Sequence, residues 1–378
     1  MPRKLSGHDK DGDFIMTTGL TEIVFDELGP SKIIHIYSPK TGLKAIVVID
    51  NTALGPAIGG VRVSPSVSAI EVARLARTMT MKNSIAGLPH GGGKAGIIAD
   101  HRDPKKELYF REFAKQTKDL HEYTPGPDMG SDEEAMGWIY DEIKRAVGLP
   151  ERMGGLPLDK LGATGFGLSE CAEVSCPYAG IGLKGARVAI QGFGSVGRAA
   201  ARFLSEKGAI IVAASDTKGT IHNPEGLDLK CLFETKDSTG SVTNCRKGIA
   251  KKMEEIFSLD CDILIPAATP DVIHKGNVND IKAKLVLEGA NIPATKEAEN
   301  ILYKKGIIVV PDFIANAGGV IMAAMEYAKK IEKEAFEAIA ARIKTNTRLI
   351  LEQSKTEGAT PRKVAEEIAK ERVLKALK

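Results

Sequence analysis

The chain has 378 residues, 43% hydrophobic, 27% charged and 5% aromatic, a soluble globular composition that excludes disorder, collagen and a coiled rod and leaves room for two or three domains of about 150 residues. Its 52 Lys and Arg against 49 Asp and Glu give a formal charge of +3, too small and too dispersed for a nucleic-acid surface. No run approaches the roughly 18 uninterrupted apolar residues of a membrane span, and no apolar signal region follows the charged stretch 1–14, so no membrane partner is expected and the expected compartment is the cytoplasm.

In chain order, residues 32–50, KIIHIYSPKTGLKAIVVID, carry two β-branched runs around Pro39-Lys40-Thr41-Gly42 and predict a hairpin. Apolar Ile70, Val72, Leu75, Ala76 and Met79 predict a helix over 70–81 with Ser68 as its cap. A second helix is predicted over 105–120, a break at Thr124-Pro125-Gly126-Pro127, and a third helix from about Ser131 that carries the only tryptophan, Trp138, as a core residue. Glycine and proline recur between Val147 and Leu168, where apolar periodicity lapses, and predict an interdomain hinge. Beyond it short strands alternate with helices, with strands at 186–191, 209–215, 263–266, 285–287 and 307–310, which predicts a parallel sheet covered on both faces. One long amphipathic helix is predicted over 316–353, with Ile331, Ala335, Ile339 and Ile343 four apart, and a last helix opens at Thr360-Pro361. Cys171, Cys176, Cys231, Cys245 and Cys261 form no C-x-x-C pair and read as reduced thiols. The seven histidines show no metal-ligand spacing, so no metal is expected.

Gln191-Gly192-Phe193-Gly194-Ser195-Val196-Gly197 is a G-x-G-x-x-G that follows a predicted strand and opens a predicted helix. Gly192 permits the tight turn, Gly194 lets the backbone approach a pyrophosphate, and Gly197 allows close helix–strand packing. The helix start supplies free N–H donors and the positive end of a dipole. Asp216, ending the next strand 24 positions after Gly192, stands near the spacing of about 20 expected for a ribose-binding carboxylate. Such an acid repels a 2′-phosphate and favours NAD. Lys218 pulls the other way, so NADP or dual use stays open.

Lys82 and Lys94 both lie in apolar or glycine-rich surroundings, the first after Met79-Thr80-Met81 and the second after Gly91-Gly92-Gly93. A lysine in a dry setting near another cation has its pKa lowered and can act as a base near neutrality, and glycines this dense let a substrate approach the backbone. Taken alone, the segment reads better as two lysines lying along an apolar surface beside a flexible loop. Asp128, on the stiff turn Gly126-Pro127-Asp128-Met129-Gly130, could complete a Lys/Asp acid–base pair.

GPAIGGVR (55–62), MKNSIAGLPHGGGKAGI, PGPDMG, LGATGFG (161–167), QGFGSVG, LEGAN (287–291) and NAGGV (316–320) occur in that order, and with them the chain resembles the glutamate/leucine/phenylalanine/valine dehydrogenase family over about residues 20–330. The resemblance implies an α/β fold of two domains: an N-terminal α/β substrate-binding and oligomerisation domain (1–150), a Rossmann-like doubly wound NAD(P)-binding domain (151–325), and C-terminal helices (326–378) returning to the first. It implies reversible, NAD(P)-dependent oxidative deamination of an L-amino acid to its 2-oxo acid and ammonia, by a homo-oligomer of hexamer or octamer size. By the same resemblance Lys82 grips the substrate α-carboxylate, Lys94 activates the water that attacks the imine, and Asp128 shuttles the proton of the amino nitrogen. Thr164 holds the nicotinamide carboxamide, Asn291 sits where nicotinamide ribose meets substrate, Ala267 and Asn316 also face the cofactor, and Gly59, Gly60 and Val320 line the substrate.

Glutamate-specific members have a lysine where this chain has Ile58 and a serine where it has Ala323. Two polar contacts to a distal carboxylate are thus replaced by apolar groups. Burying that carboxylate unpaired costs several kcal/mol, so an apolar side chain of the Leu, Val or Phe type is expected. Scaffold stretches such as PGPDMGSDEEAMGWIYDE look nearer to the glutamate branch, and glutamate is the alternative. An alternative of another class is a catalytically silent dinucleotide-binding sensor, which would keep Gly192, Gly194 and Gly197 but could lose the lysines; retention of Lys82, Lys94 and Asp128 together argues against it.

Overall fold

A computed structural model describes residues 23–378; the reading of stretch 1–14 as free of an export signal lies outside the described residues. The predicted hairpin forms as β1 (Lys32–Ser38) and β2 (Leu43–Asn51). β3 (Ala57–Val63), α1 (Ala69–Ile85), β4 (Gly91–Ile97), α2 (Lys106–Gln116), β5 (Tyr123–Gly126) and α3 (Glu133–Ile143) follow. The five strands make one sheet in the order β1-β2-β4-β3-β5, antiparallel among β1, β2 and β4 and parallel among β4, β3 and β5.

β4 and β5 correct the sequence reading, which takes the first as a glycine-rich loop and the second as a break because glycine and proline are poor strand formers. Close packing makes them strands. A Cβ on Gly92 would stand 2.1 Å from the Thr80 backbone nitrogen on α1, and one on Gly93 2.8 Å from the Tyr123 ring. These glycines bring α1 and β5 onto β4 rather than a substrate onto the backbone. β5, with Pro125, is tolerated as the edge strand. Ser68 caps α1 by accepting the Glu71 N–H at 3.2 Å, and the helix continues past its predicted end at residue 81, which puts Lys82 in its last turn.

The predicted hinge is partly helical. It contains α4 (Leu158–Leu161) and the start of α5 (Ala163–Tyr178), whose glycines are packing points: a Cβ on Gly167 would lie 2.6 Å from Ile343 Cδ1. Next come β6 (Arg187–Gln191), α6 (Ser195–Glu206), β7 (Ile210–Asp216), β8 (Gly219–His222), α7 (Leu229–Thr239), β9 (Ile249–Lys251), β10 (Ile263–Pro266), β11 (Leu285–Leu287), α8 (Lys296–Lys304), β12 (Ile308–Val310) and α9 (Asp312–Ala315). Their sheet runs β12-β11-β10-β6-β7-β8-β9, parallel from β12 to β7 and antiparallel at β8 and β9. Val188 and Ile190 face one core while Ala189 faces the other, as befits strands covered on both faces. The chain leaves β6 toward β7 and later returns through β10 on the other side, so β6 and β10 form the switch point beyond whose carboxyl ends such sheets bind ligands.

The single helix expected over 316–353 is two, α10 (Gly318–Tyr327) and α11 (Glu332–Glu357). Lys329 breaks it in the left-handed region at φ 55°, and the Glu334 carboxylate restarts it by accepting the Ile331 N–H at 3.1 Å; Ile331, counted as part of the apolar stripe, is exposed. α12 (Pro361–Ala376) opens with Thr360 accepting the Lys363 N–H, as expected, and packs back on α1, where Ser84 Oγ donates to the Ala369 carbonyl at 2.7 Å. Cys231 and Cys245, distant in sequence, bring their sulfurs to 3.3 Å. No helix among the described residues is long and apolar enough to cross a membrane.

Candidate functional site

α1 and β4 bring two lysines toward one carboxylate. Lys94 Nζ lies 3.1 Å from Asp128 Oδ2. Asp128 sits just past β5, where its backbone N–H donates to Ser131 Oγ at 2.8 Å. Arg62, on β3, donates from Nε to the same Asp128 oxygen at 3.0 Å and reaches Glu71 Oε1 at 2.7 Å. Burial by itself would raise the Asp128 carboxyl, but the charges of Lys94 and Arg62 outweigh it and hold the group below its usual range. The expected Lys/Asp pair is therefore formed. Arg62 is a member that the sequence reading missed, although its place two residues after the paired glycines of GPAIGGVR was a usable signal.

Lys82 is buried at 6% exposure and donates from Nζ to Asn291 Oδ1 at 3.0 Å and to Asn316 Oδ1 at 2.8 Å. Burial lowers its pKa to about 8, with the Lys94 charge adding to the effect and Asp312 and Asp128 opposing it. Two of the three ammonium donors are used, so one remains for an incoming carboxylate. Asn316 in turn donates from Nδ2 to Asn291 Oδ1 at 3.1 Å, so residues from α1, the loop after β11 and the end of α9 form one polar knot.

Ile58, Val147 and Ala323 form a small apolar cluster of their own. Two were singled out from sequence. Val147, in the stretch after α3, was not, because nothing in the local pattern ties it to β3 and α10. Val320 lies one turn before Ala323, half-buried against the core that holds Leu168 and Ile321. Gly59 and Gly60 act by absence: a Cβ on Gly59 would stand 1.6 Å from the Gly93 carbonyl oxygen, and one on Gly60 2.7 Å from Asp128 Cβ. They set the distance of β4 and Asp128 from β3.

At the switch point Gly192 adopts φ 91°, with Ala268 Cβ 2.7 Å from where its own Cβ would be. A Cβ on Gly197 would lie 1.9 Å from the Gly192 oxygen, whereas one on Gly194 would meet open space. Gly194 and Ser195 are exposed at the start of α6. This open cradle at a helix N-terminus fits a dinucleotide's pyrophosphate. Phe193 is buried and stacked on Phe233 at 5.6 Å between centroids, so its side chain anchors the turn instead of lining the groove. Val196 packs against the core. The Ala267 N–H donates to the Gln191 carbonyl at 2.7 Å, which places it against the cradle, and Thr164 opens α5 beside Gly319, whose Cβ would be 3.1 Å from the Thr164 hydroxyl.

Asp216 is not the free carboxylate expected from sequence. It accepts from Lys236 Nζ at 2.7 Å, from the Val242 and Lys218 N–H groups at 2.8 Å each, and from Ser241 Oγ at 3.3 Å. Burial opposes its ionisation, and Lys236 with those N–H groups overcomes that and holds the carboxyl below its usual range. The fold brings Lys236 from α7, so the repulsion Asp216 exerts on a phosphate is partly cancelled. Among the described residues no group of three or more His, Cys, Asp or Glu could hold a metal ion.

Two family models match the chain: one described as Glutamate/Leucine/Phenylalanine/Valine dehydrogenase over residues 154–378, the other as Glu/Leu/Phe/Val dehydrogenase, dimerisation domain, over residues 30–145. A glutamate dehydrogenase of Aeropyrum pernix is 40% identical over 353 residues, 87% of this chain and 84% of that protein. An NADP-specific glutamate dehydrogenase of Saccharolobus shibatae is 40% identical over 356 residues, 87% of this chain and 83% of that one. Of solved structures, the leucine-bound hetero-hexameric glutamate dehydrogenase of Thermus thermophilus matches with a TM-score of 0.84 at 29% identity, covering 92% of this chain and 89% of its own. The L-tryptophan dehydrogenase of Nostoc punctiforme matches with a TM-score of 0.70 at 28% identity, covering 93% and 98%.

Proposed function

Because the chain belongs to the glutamate/leucine/phenylalanine/valine dehydrogenase family and is an NAD(P)-dependent amino acid dehydrogenase, we propose that it deaminates an L-amino acid with an apolar side chain, reversibly, where Lys82, Lys94 and Asp128 meet. The observation that carries the assignment of roles is the Lys94–Asp128 contact of 3.1 Å next to the buried ammonium of Lys82. Family membership sets aside the silent sensor.

The Gly192–Gly197 turn would hold the dinucleotide, which when bound would supply the hydride acceptor. The third donor of Lys82 takes the substrate α-carboxylate. As the free amine Lys94 removes a proton from the water that adds to the imine carbon and so becomes the ammonium that faces Asp128, Asp128 exchanges the proton of the amino nitrogen, and Arg62 keeps Asp128 ionised and in place. A dry site holding these groups in fixed geometry is what hydride transfer from Cα requires.

Lys82 attracts a carboxylate only while protonated, so binding is complete below its pKa and fades as pH rises through about 8. The affinity of a 2-oxo acid for the enzyme with oxidised dinucleotide, a pair that cannot react, is expected to fall roughly tenfold per pH unit above that point. Affinity that stays flat through the alkaline range removes Lys82 from carboxylate binding.

For the side chain, the Ile58–Val147–Ala323 cluster supports an apolar residue. The cations of the lysine–aspartate site are committed: Arg62 to Asp128 and Glu71, Lys94 to Asp128, Lys82 to two asparagines. The names of the relatives favour glutamate instead, which is the second reading. A panel of L-amino acids with NAD and with NADP, followed as reduced nicotinamide, separates the two: the first reading expects leucine, valine, phenylalanine or tryptophan above glutamate, and the reverse order replaces it with the second. For the cofactor, Asp216 supports NAD, and its pairing with Lys236 leaves NADP tolerated. We place the enzyme in the cytoplasm as a homo-oligomer of hexamer or octamer size, six subunits being the number of the hetero-hexameric Thermus protein, with domains divided near 150 and 325.

A further inference from the structure

Arg362, the second residue of α12, meets three carboxylates in the protein interior. Its Nε donates to Glu299 Oε1 at 2.6 Å and Oε2 at 2.9 Å, and Nη2 donates to Glu288 Oε2 at 2.6 Å and Asp312 Oδ1 at 3.0 Å. Glu288 and Asp312 are buried at 0% and 1% exposure. Such a cluster is costly to assemble, and it sits one step from the polar knot. The other Asp312 oxygen accepts the Ile292 N–H at 3.0 Å. Ile292 is left-handed at φ 49°, a conformation a β-branched residue adopts only under constraint, and it directly follows Asn291. The Asp312 carbonyl accepts the Asn316 N–H at 2.8 Å. Both side chains that grip Lys82 therefore hang from Asp312.

We propose that Arg362 is a positioning residue for the substrate-carboxylate site: by orienting Asp312 it holds Ile292 left-handed and sets Asn291 and Asn316 on the ammonium of Lys82. This rests on the reading of Lys82 as the α-carboxylate ligand. It gives α12 a task in substrate binding beyond its packing on the last turn of α1, where Ser84 already meets Ala369. The charged groups acting on Lys82 are Asp312, Lys94 and Asp128; those acting on Arg362 are Glu288, Glu299 and Asp312.

The test compares Arg362→Lys, Asp312→Asn and Lys82→Met in the full chain. Arg362→Lys keeps the charge and loses the fork that spans three carboxylates. It is expected to raise KM for the amino acid roughly 10- to 100-fold, with the dissociation constant of reduced dinucleotide unchanged and the alkaline limb of kcat/KM moved to lower pH. Adding Ile292→Gly is expected to recover part of the lost KM, because glycine takes positive φ without strain; a merely structural lesion would reduce active enzyme at constant KM and would not respond. Should Arg362→Lys fail to fold, Asp312→Asn, which keeps shape and loses charge, decides by the same readouts. Unchanged KM in these variants, with Lys82→Met raising it, overturns the proposal alone. Unchanged KM in Lys82→Met overturns the carboxylate reading and this proposal with it.

Discussion

Lys94→Ala and Asp128→Asn are each expected to lower kcat by about 10²- to 10⁴-fold, the range contributed by a general acid–base partner, while reduced dinucleotide binds as before. The cradle at Gly192–Gly197 is built on β6 and α6 of the other sheet, whereas Lys94 lies on β4 and Asp128 just past β5. Lys94→Ala removes the amine that accepts the water proton and leaves Asp128 its contact with Arg62. Asp128→Asn keeps the shape of the side chain and removes both the proton carrier and the anion that two cations face. Because the two groups act as a unit, the double variant is expected to lose little more than the worse single one. Steady-state rates on the preferred amino acid, with a fluorescence titration of reduced dinucleotide, check both statements. Nearly unchanged turnover in either variant takes that residue out of the mechanism.

Replacing Ile58 by lysine is expected to raise activity on glutamate and depress activity on leucine, with a swing in relative kcat/KM on the order of 10²-fold, taking ~3 kcal/mol for a charged partner gained or stranded. Ile58 is buried on β3 against Val147 and Ala323. An ammonium there has no partner beside an alkyl substrate, and it gains a charge-assisted hydrogen bond beside a distal carboxylate. Ile58→Met, which keeps volume and polarity, serves as the control for packing and is expected to shift neither ratio much. Wild-type enzyme that already prefers glutamate would refute the apolar-pocket argument before the variant is made.

Sequence alone determined the parts whose signal is local. The 32–50 hairpin has its turn chemistry within four residues, the β6–α6 cradle has its glycines in one heptapeptide, and the cap before α12 is a Thr-Pro pair; in each, backbone preference and structure agree over a short span. Lys82, Lys94 and Asp128 were also visible, because charged residues in apolar or glycine-rich surroundings stand out. What only tertiary structure decided depends on partners far along the chain. β4 reads as loop by propensity and is a strand because α1 and Tyr123 close on its glycines. Asp216 reads as a free acid until α7 delivers Lys236 to it. Val147 joins Ile58 and Ala323, and Arg362 joins Glu288, Glu299 and Asp312, across separations of 50 to 176 residues that no periodicity spans. Local pattern reports which face of an element is apolar; only packing decides which charges meet there, since desolvation makes an unpaired one too costly to leave.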